Sequence, residues 1–200
     1  MPAFANTFPL GAINIFQMSQ RNGYLVPYMI FKVGEFRIAV MSILAGTGII
    51  NGSYDSLGLR LASGSNSSDI FTFPDKKRLA FEYAELRDSE NLRLIPEGVG
   101  EGLEARCPQC NSNVDESLSD AVSEFYEHEY DTGQSLDMGI VKVECNNCGV
   151  TSNLKDIQFG ENTIISNQFL QFVEIMAEFD TDKLLELERK LGCKLKAVYE

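Results

Sequence analysis

Two short cysteine pairs constrain this chain more than any other feature of its sequence. The first pair is Cys107 and Cys110, the second is Cys145 and Cys148, and two residues separate the cysteines in each. A C-x-x-C pair places two thiolates on one tight turn, and two such turns can complete a tetrahedron around a metal ion. The spacing therefore predicts that the two turns meet in the folded chain and bind a metal.

The four cysteines resemble those of zinc-ribbon proteins with rubredoxin-type knuckles, over about residues 103–150. The resemblance implies that Cys107, Cys110, Cys145 and Cys148 bind a structural Zn²⁺, since a closed tetrahedron of thiolates holds structure and does not catalyse. The spacer of 34 residues between the pairs exceeds that of a compact ribbon, so an inserted element must fold back. Iron in the same tetrahedron, a dithiol redox centre and unliganded core cysteines remain alternatives.

Four further residues bear on the cysteine turns and on catalysis. Gly149 follows the second pair and Asn111 the first, and these residue types tolerate the positive φ that a knuckle turn requires. The fifth cysteine, Cys193, is predicted to be a small buried residue of the core. His128, the one histidine of the chain, lies in no motif that includes a nucleophile, so nothing assigns it to catalysis.

Negative charge concentrates in the second half of the chain. The net charge is −12, and residues 107–200 hold seven Lys and Arg against eighteen Asp and Glu. The segment between the cysteine pairs contains nine acidic residues and one basic residue, Lys142. Such a field repels phosphate and attracts cationic partners, so it disfavours direct nucleic-acid binding and favours a basic protein partner.

Compartment and membrane topology follow from the cysteine content and the apolar runs. Five cysteines in 200 residues are too few for a secreted disulfide scaffold, and the N-terminus lacks the basic region of a signal peptide. The most apolar stretch, residues 38–50, is too short and too interrupted by glycine to span a bilayer. The sequence therefore predicts a cytoplasmic chain that does not cross a membrane.

Hydrophobic patterning predicts an α+β fold in three parts. Residues 1–102 should form a β-rich antiparallel sheet, with Tyr24–Val33 and Phe36–Leu44 as a hairpin-like pair of strands. Residues 103–150 should form the ribbon with an inserted acidic helix. Residues 151–200 should form a helix pair and a closing strand that pack back on the sheet.

The C-terminal prediction depends on two apolar patterns. One apolar pattern recurs at helical spacing and predicts the first helix of the pair; its residues are Ile165, Phe169, Phe172, Val173 and Met176. In the second, Asp180 or Thr181 is the candidate cap, leucines repeat along one face, and Gly192 stands where helices commonly end. The alternation from Cys193 to Tyr199 predicts the closing strand.

The helix inserted between the cysteine pairs carries the candidate binding surface. Asn113 is predicted to cap it, while Leu118, Ala121, Val122 and Phe125 form its apolar stripe. Its other face is either an ordinary solvated surface or a docking surface for a basic partner. The candidate partner-binding residues are Glu116, Asp120, Glu124, Tyr126, Glu127, Glu129, Tyr130 and Asp131.

Three functions compete on this evidence. The leading interpretation is a non-catalytic zinc-binding protein acting by protein–protein contact, similar in charge and size to the immunity or antitoxin-type proteins that inhibit basic nucleases. The first alternative is a zinc ribbon associated with transcription or nucleic acid. The second is an enzyme whose pocket lies in the N-terminal sheet region, lined by Tyr24, Tyr28, Arg37, Asp55, Arg60 and Tyr83.

Overall fold

The structure confirms an α+β fold. It is a computed structural model, and it describes residues 21–53, 60–72, 80–96, 103–175 and 177–200. In those residues the helices are α1 (Glu35–Gly46), α2 (Asp115–Thr132) and α3 (Thr181–Leu191). The strands are β1 (Arg21–Pro27), β2 (Ile50–Ser53), β3 (Arg60–Ser63), β4 (Tyr83–Ile95), β5 (Lys142–Glu144), β6 (Thr151–Asn153), β7 (Ile164–Ile175) and β8 (Leu195–Tyr199).

One antiparallel sheet unites the two ends of the chain. Its six strands lie in the order β2-β3-β4-β7-β1-β8, and each neighbouring pair is antiparallel. β7 lies between β4 and β1, while β8 forms an edge beside β1. The C-terminal region is therefore built into the N-terminal sheet as two of its strands.

The sheet is covered by α1 and α3 on one face. Phe36 and Leu44 of α1 and Leu187 of α3 pack in one core cluster with sheet residues such as Leu170 and Phe172. Because side chains alternate along a strand, neighbouring positions point to the opposite face. There a smaller cluster contains Tyr24, Val26, Ile95, Phe169 and Val198.

The predicted hairpin of Tyr24–Val33 and Phe36–Leu44 was wrong, because β1 ends at Pro27 and the second segment forms α1. Phe36, Val40 and Leu44, which are four residues apart, bury one helical face against the sheet. The Asp88 carboxylate accepts hydrogen bonds from the N–H groups of Gly34 and Arg37, both at 2.9 Å. These otherwise unpaired N–H groups of the first turn are thus satisfied from β4, which the local sequence of α1 does not show.

The prediction of a C-terminal helix pair was also wrong, because its first member is strand β7. Phe169 packs on one face of the sheet, while Leu170 and Phe172 pack on the other. A strand buried on both faces loses simple alternation, so its apolar residues can fall by chance at helical spacing. Met176 lies outside the described residues.

The second predicted helix and the closing strand are confirmed as α3 and β8. The Asp180 carboxylate accepts a hydrogen bond from the N–H of Lys183 at 3.0 Å, as a helix cap does. Gly192 ends the helix with a φ of 71°.

The described helices fall short of the length and apolarity that crossing a membrane requires.

The far ends of β4 and β7 lead out of the main core to the cysteine region. The pairing register of the two strands shifts between Asp88 and Arg93, and the Asn167 amide donates to the Ser89 carbonyl across the shift. Beyond it, Leu94 is buried and Ile165 half-buried in a second core that surrounds the cysteines. The sheet therefore supplies the base on which the cysteine cluster is built.

Candidate metal centre

Two equivalent turns carry the four cysteines. The N–H of Cys107 donates to the carbonyl of Ser112, and the N–H of Cys145 donates to the carbonyl of Val150. Within each turn the N–H of the residue after the second cysteine donates back to the first cysteine's carbonyl. That residue is Asn111 with a φ of 60° in one turn and Gly149 with a φ of 72° in the other, as the sequence predicts.

Short backbone ladders fix both turns. β5 and β6 flank the second turn and pair from Lys142–Asn153 to Glu144–Thr151. Before the first turn, Arg106 exchanges backbone hydrogen bonds with Gln158 at 2.8 and 3.2 Å. Since Gln158 follows β6 in the chain, this exchange joins the two turns into one unit.

The four predicted ligands converge. The sulfur atoms of Cys107, Cys110, Cys145 and Cys148 all lie within 4.8 Å of one another. The Cys107–Cys148 sulfurs are 3.8 Å apart, and the Cys110–Cys145 sulfurs are 3.6 Å apart. Metal–sulfur bonds of about 2.3 Å in a tetrahedron give sulfur–sulfur edges of about 3.8 Å. The cluster therefore fits one metal ion, and the cysteines are free thiols rather than disulfides.

Polar groups around the sulfurs shape their ionisation. Hydrogen bonds with the side chain and backbone of Ser112, and then with the Asn147 amide, lower the pKa of Cys110 to about 5. The hydrogen bond from the Val150 N–H lowers the pKa of Cys148, but the neighbouring cysteines and burial outweigh it and raise that pKa to about 12. Four thiolates in so small a space repel one another, so they ionise together only around a cation.

The inserted helix, α2, packs on this unit as the sequence predicts. Its stripe of Leu118, Val122 and Phe125 is buried in the same core as Cys107 and Cys145. A displacement of the cysteine turns therefore also displaces the helix, because protein cores are close-packed.

The helix starts differently from the prediction. It begins at Asp115, with Val114 at the cap position, and Asn113 stands one residue further out. The Asn113 side chain still accepts a hydrogen bond from the N–H of Asp115 at 2.9 Å. The Asp115 carboxylate accepts one from the N–H of Ala105 at 2.6 Å, just before the first cysteine turn.

A largely buried ion pair holds the other end of α2. Arg93 of β4 donates from both terminal nitrogens to the two carboxylate oxygens of Glu129, at 2.7 and 2.8 Å. Glu129 also accepts from the N–H of Leu136, and Arg93 also donates to Ser135. Although burial alone raises the pKa of Glu129, the hydrogen bonds from Arg93 and Leu136 lower it overall. Glu129 thus ties α2 to the sheet.

The remaining predicted partner-binding residues lie on the outer side of α2. Tyr126 is half-buried against the ring of Phe125, and Tyr130 is among the most exposed large side chains described. Five carboxylates are exposed along the helix: Glu116, Asp120, Glu124, Glu127 and Asp131. α2 contains no Lys or Arg.

The described residues among those considered for an N-terminal pocket are spread over β1, the segment after it, α1, β3 and β4. Tyr24 is buried in the sheet and its hydroxyl bonds Glu200, whereas Tyr28 is exposed after β1. The Arg60 guanidinium lies 4.5 Å over the Tyr83 ring. The backbone N–H of Arg37 is bonded by Asp88 at the start of α1, and Asp55 is outside the described residues.

A cavity that the sequence analysis did not foresee lies between α1 and α3. Its volume is about 250 Å³, with an apolar floor that includes Leu44 and Leu187 and a rim with Lys183, Glu186 and Lys190. The two lysines form ion pairs with Glu186 at 3.4 and 2.9 Å. No sequence motif marks it, because its residues come from separate helices and loops.

Two single residues complete the site predictions. Cys193 is half-buried rather than buried, and burial raises the pKa of its thiol. His128 is exposed on α2, where its carbonyl accepts a hydrogen bond from Thr132.

Comparison of the chain with known protein families, curated proteins and solved structures gave no match.

Proposed function

We propose that Cys107, Cys110, Cys145 and Cys148 bind one structural Zn²⁺ ion in the manner of a zinc ribbon. The sulfur separations support a tetrahedron of soft thiolate donors, which is the ligand set that zinc favours in structural sites. Four protein ligands leave no open position for a substrate. The ion therefore closes the two turns on each other and contributes directly to folding.

We further propose that the metal centre serves to hold α2 as the binding surface for a basic protein. The observation that carries this proposal is the row of exposed carboxylates at three- and four-residue spacing, on a helix without Lys or Arg. Like charges at that spacing destabilise a helix, so the presence of this row is not explained by the stability of the helix. Binding to a cationic surface is such a reason, since it replaces repulsion by attraction.

Two features suit this surface to protein recognition. The helix is fixed at one end by Asp115 and at the other by Glu129, so its carboxylates are presented with little loss of freedom on binding. Tyr130 is exposed among them and offers an aromatic anchor of the kind that dominates interfaces. An immunity or antitoxin-type inhibitor of a basic toxin is the specific function that this combination supports best.

Neutralising four of the five exposed α2 carboxylates is expected to weaken such binding by about 30-fold, since each rim charge contributes roughly 0.5 kcal/mol. The variant carries Glu116→Gln, Asp120→Asn, Glu124→Gln and Glu127→Gln. Isothermal titration against purified basic toxin nucleases, with poly-lysine as a non-specific polycation, measures the change. Affinity of the unmodified chain for its partner should fall as salt increases.

The matched control removes four exposed acids from other elements and changes the net charge by the same amount. It carries Glu90→Gln, Glu144→Gln, Glu161→Gln and Asp182→Asn. Equal weakening by both variants would reduce the effect to overall charge and contradict a site on α2. A gel shift with duplex DNA at low salt would instead support the nucleic-acid alternative.

A further inference from the structure

A second surface, far less polar than α2, lies after strand β1. Residues 28–33, here termed the apolar loop, expose Tyr28, Met29, Ile30 and Val33, and Ile30 is 77% exposed. Contiguous exposed side chains of this size are uncommon on monomeric proteins and typically mark an interaction site.

The apolar loop is held in one conformation from inside the sheet. The buried Gln168 side chain accepts a hydrogen bond from the N–H of Phe31 at 2.8 Å and donates one to the Phe31 carbonyl at 2.9 Å. The same amide donates to Asp88 at 2.9 Å, and Asp88 also accepts from Gly34. The hydrogen bonds of this buried amide thus fix the backbone of the loop at Phe31. The loop therefore loses little conformational entropy when it binds a partner.

Helix α1 continues this surface. The Phe31 ring contacts the Phe36 ring, with centroids 5.5 Å apart, so the loop packs on the first turn of the helix. Opposite its buried face, α1 exposes Ile38, which is 72% exposed, and then small residues. These are Ser42, Ala45 and Gly46. No charged residue follows Arg37 in α1, and a helix apolar on all sides is normally covered.

We propose that this surface, the apolar loop with the outer face of α1, joins two copies of the chain in a symmetric dimer. An antiparallel pairing of the two α1 helices about a two-fold axis at Ser42 places Ile38 of each copy against Gly46 of the other. The absence of a side chain at Gly46 and the small Ala45 leave room for Ile38. One patch thus supplies both the projection and the recess, as a two-fold interface requires.

Charge also favours a second copy here. The surface carries Lys32 and Arg37 against Glu35, on a chain whose net charge is −12 and whose acids lie mainly elsewhere. Two copies therefore repel each other least when they meet at this surface. In the antiparallel pairing, Arg37 lies near the last turn of the partner's α1, which has no basic residue of its own. A cation is favourable at that negative end of the helix dipole.

Analytical ultracentrifugation of the full chain from micromolar to submillimolar concentration tests the proposal. The unmodified chain should sediment as a dimer, and Ile38→Lys should weaken dimerisation by at least about 100-fold, because symmetry buries the new charge twice. The matched control is Ile140→Lys, since Ile140 is 64% exposed on the ribbon and away from α1. That variant should remain dimeric.

A second variant separates specific packing from general stickiness. Ala45→Leu adds apolar surface, so it should strengthen non-specific association but weaken a close helix–helix contact. Dimerisation should tighten with salt as the net repulsion is screened, opposite to the binding proposed for α2. A chain that stays monomeric, or an Ala45→Leu variant that associates more tightly, would overturn the dimer. Monomer binding to phosphatidylcholine vesicles would also overturn it, by assigning the surface to a membrane.

Discussion

Replacing Cys107 with serine is expected to abolish metal binding and unfold the ribbon together with α2. Cys107 is buried in the ribbon core, and its sulfur is one of four in a closed cluster. Structural zinc contributes about 10 kcal/mol or more to the folding of small domains, which exceeds what the ribbon core can replace. Elemental analysis should fall from one zinc per chain to none, and circular dichroism should show loss of helix.

Cys193→Ser is the matched control for the metal prediction. Cys193 lies outside the cluster, just beyond α3, so this variant should keep one zinc and a helical spectrum close to that of the unmodified chain. Chelation at neutral pH should reproduce the effect of Cys107→Ser on the unmodified chain. Zinc retained by Cys107→Ser, or iron in its place in the native protein, would contradict the assignment.

The cysteine cluster could be predicted from sequence because each of its two turns is local. Two C-x-x-C turns, a glycine and an asparagine suitable for positive φ, and strand-like flanks all lie within a few residues of each ligand. α3 and β8 were predictable for the same reason, since cap, apolar face and terminal glycine are neighbours in the chain. In each case the local preference agrees with the final fold.

The fold predictions failed where distant residues decide the conformation. The start of α1 is fixed by hydrogen bonds from its first N–H groups to Asp88, which lies on β4 and 51 residues beyond Arg37 in the chain. β7 becomes a strand because β4 and β1 pair with its two edges and apolar core clusters cover both of its faces. Neither contact can be read from the sequence of the element itself. An apolar, β-branched and aromatic composition predicted a strand for α1, and apolar spacing predicted a helix for β7.

The role of Glu129 illustrates the same limit within the candidate binding surface. By sequence it is one of six acidic candidates along the helix. In the structure its carboxylate is occupied by Arg93, which lies 36 residues earlier in the chain. The contribution of Glu129 is therefore to fix the helix, and the exposed carboxylates are the ones available to a partner.

Glu129→Gln is expected to destabilise the chain by about 2 kcal/mol at neutral pH, between the values typical of exposed and fully buried pairs. The substitution keeps the side-chain shape but leaves Arg93, whose side chain is 11% exposed, without its counter-charge. Urea unfolding measures the loss. The control Glu186→Gln removes a carboxylate from an exposed pair on α3, so it should leave the urea midpoint close to that of the unmodified chain.

The pH dependence and a double variant identify the cause of that loss. Because the folded chain holds the pKa of Glu129 below its ordinary value, the pair stabilises fully above the unfolded pKa and less as pH falls through the folded one. The difference between the unmodified chain and Glu129→Gln should therefore shrink in acid. Arg93→Met combined with Glu129→Leu should recover most of the stability, since no unpaired charge remains. A double variant as unstable as the sum of its single variants would show that the two side chains act independently.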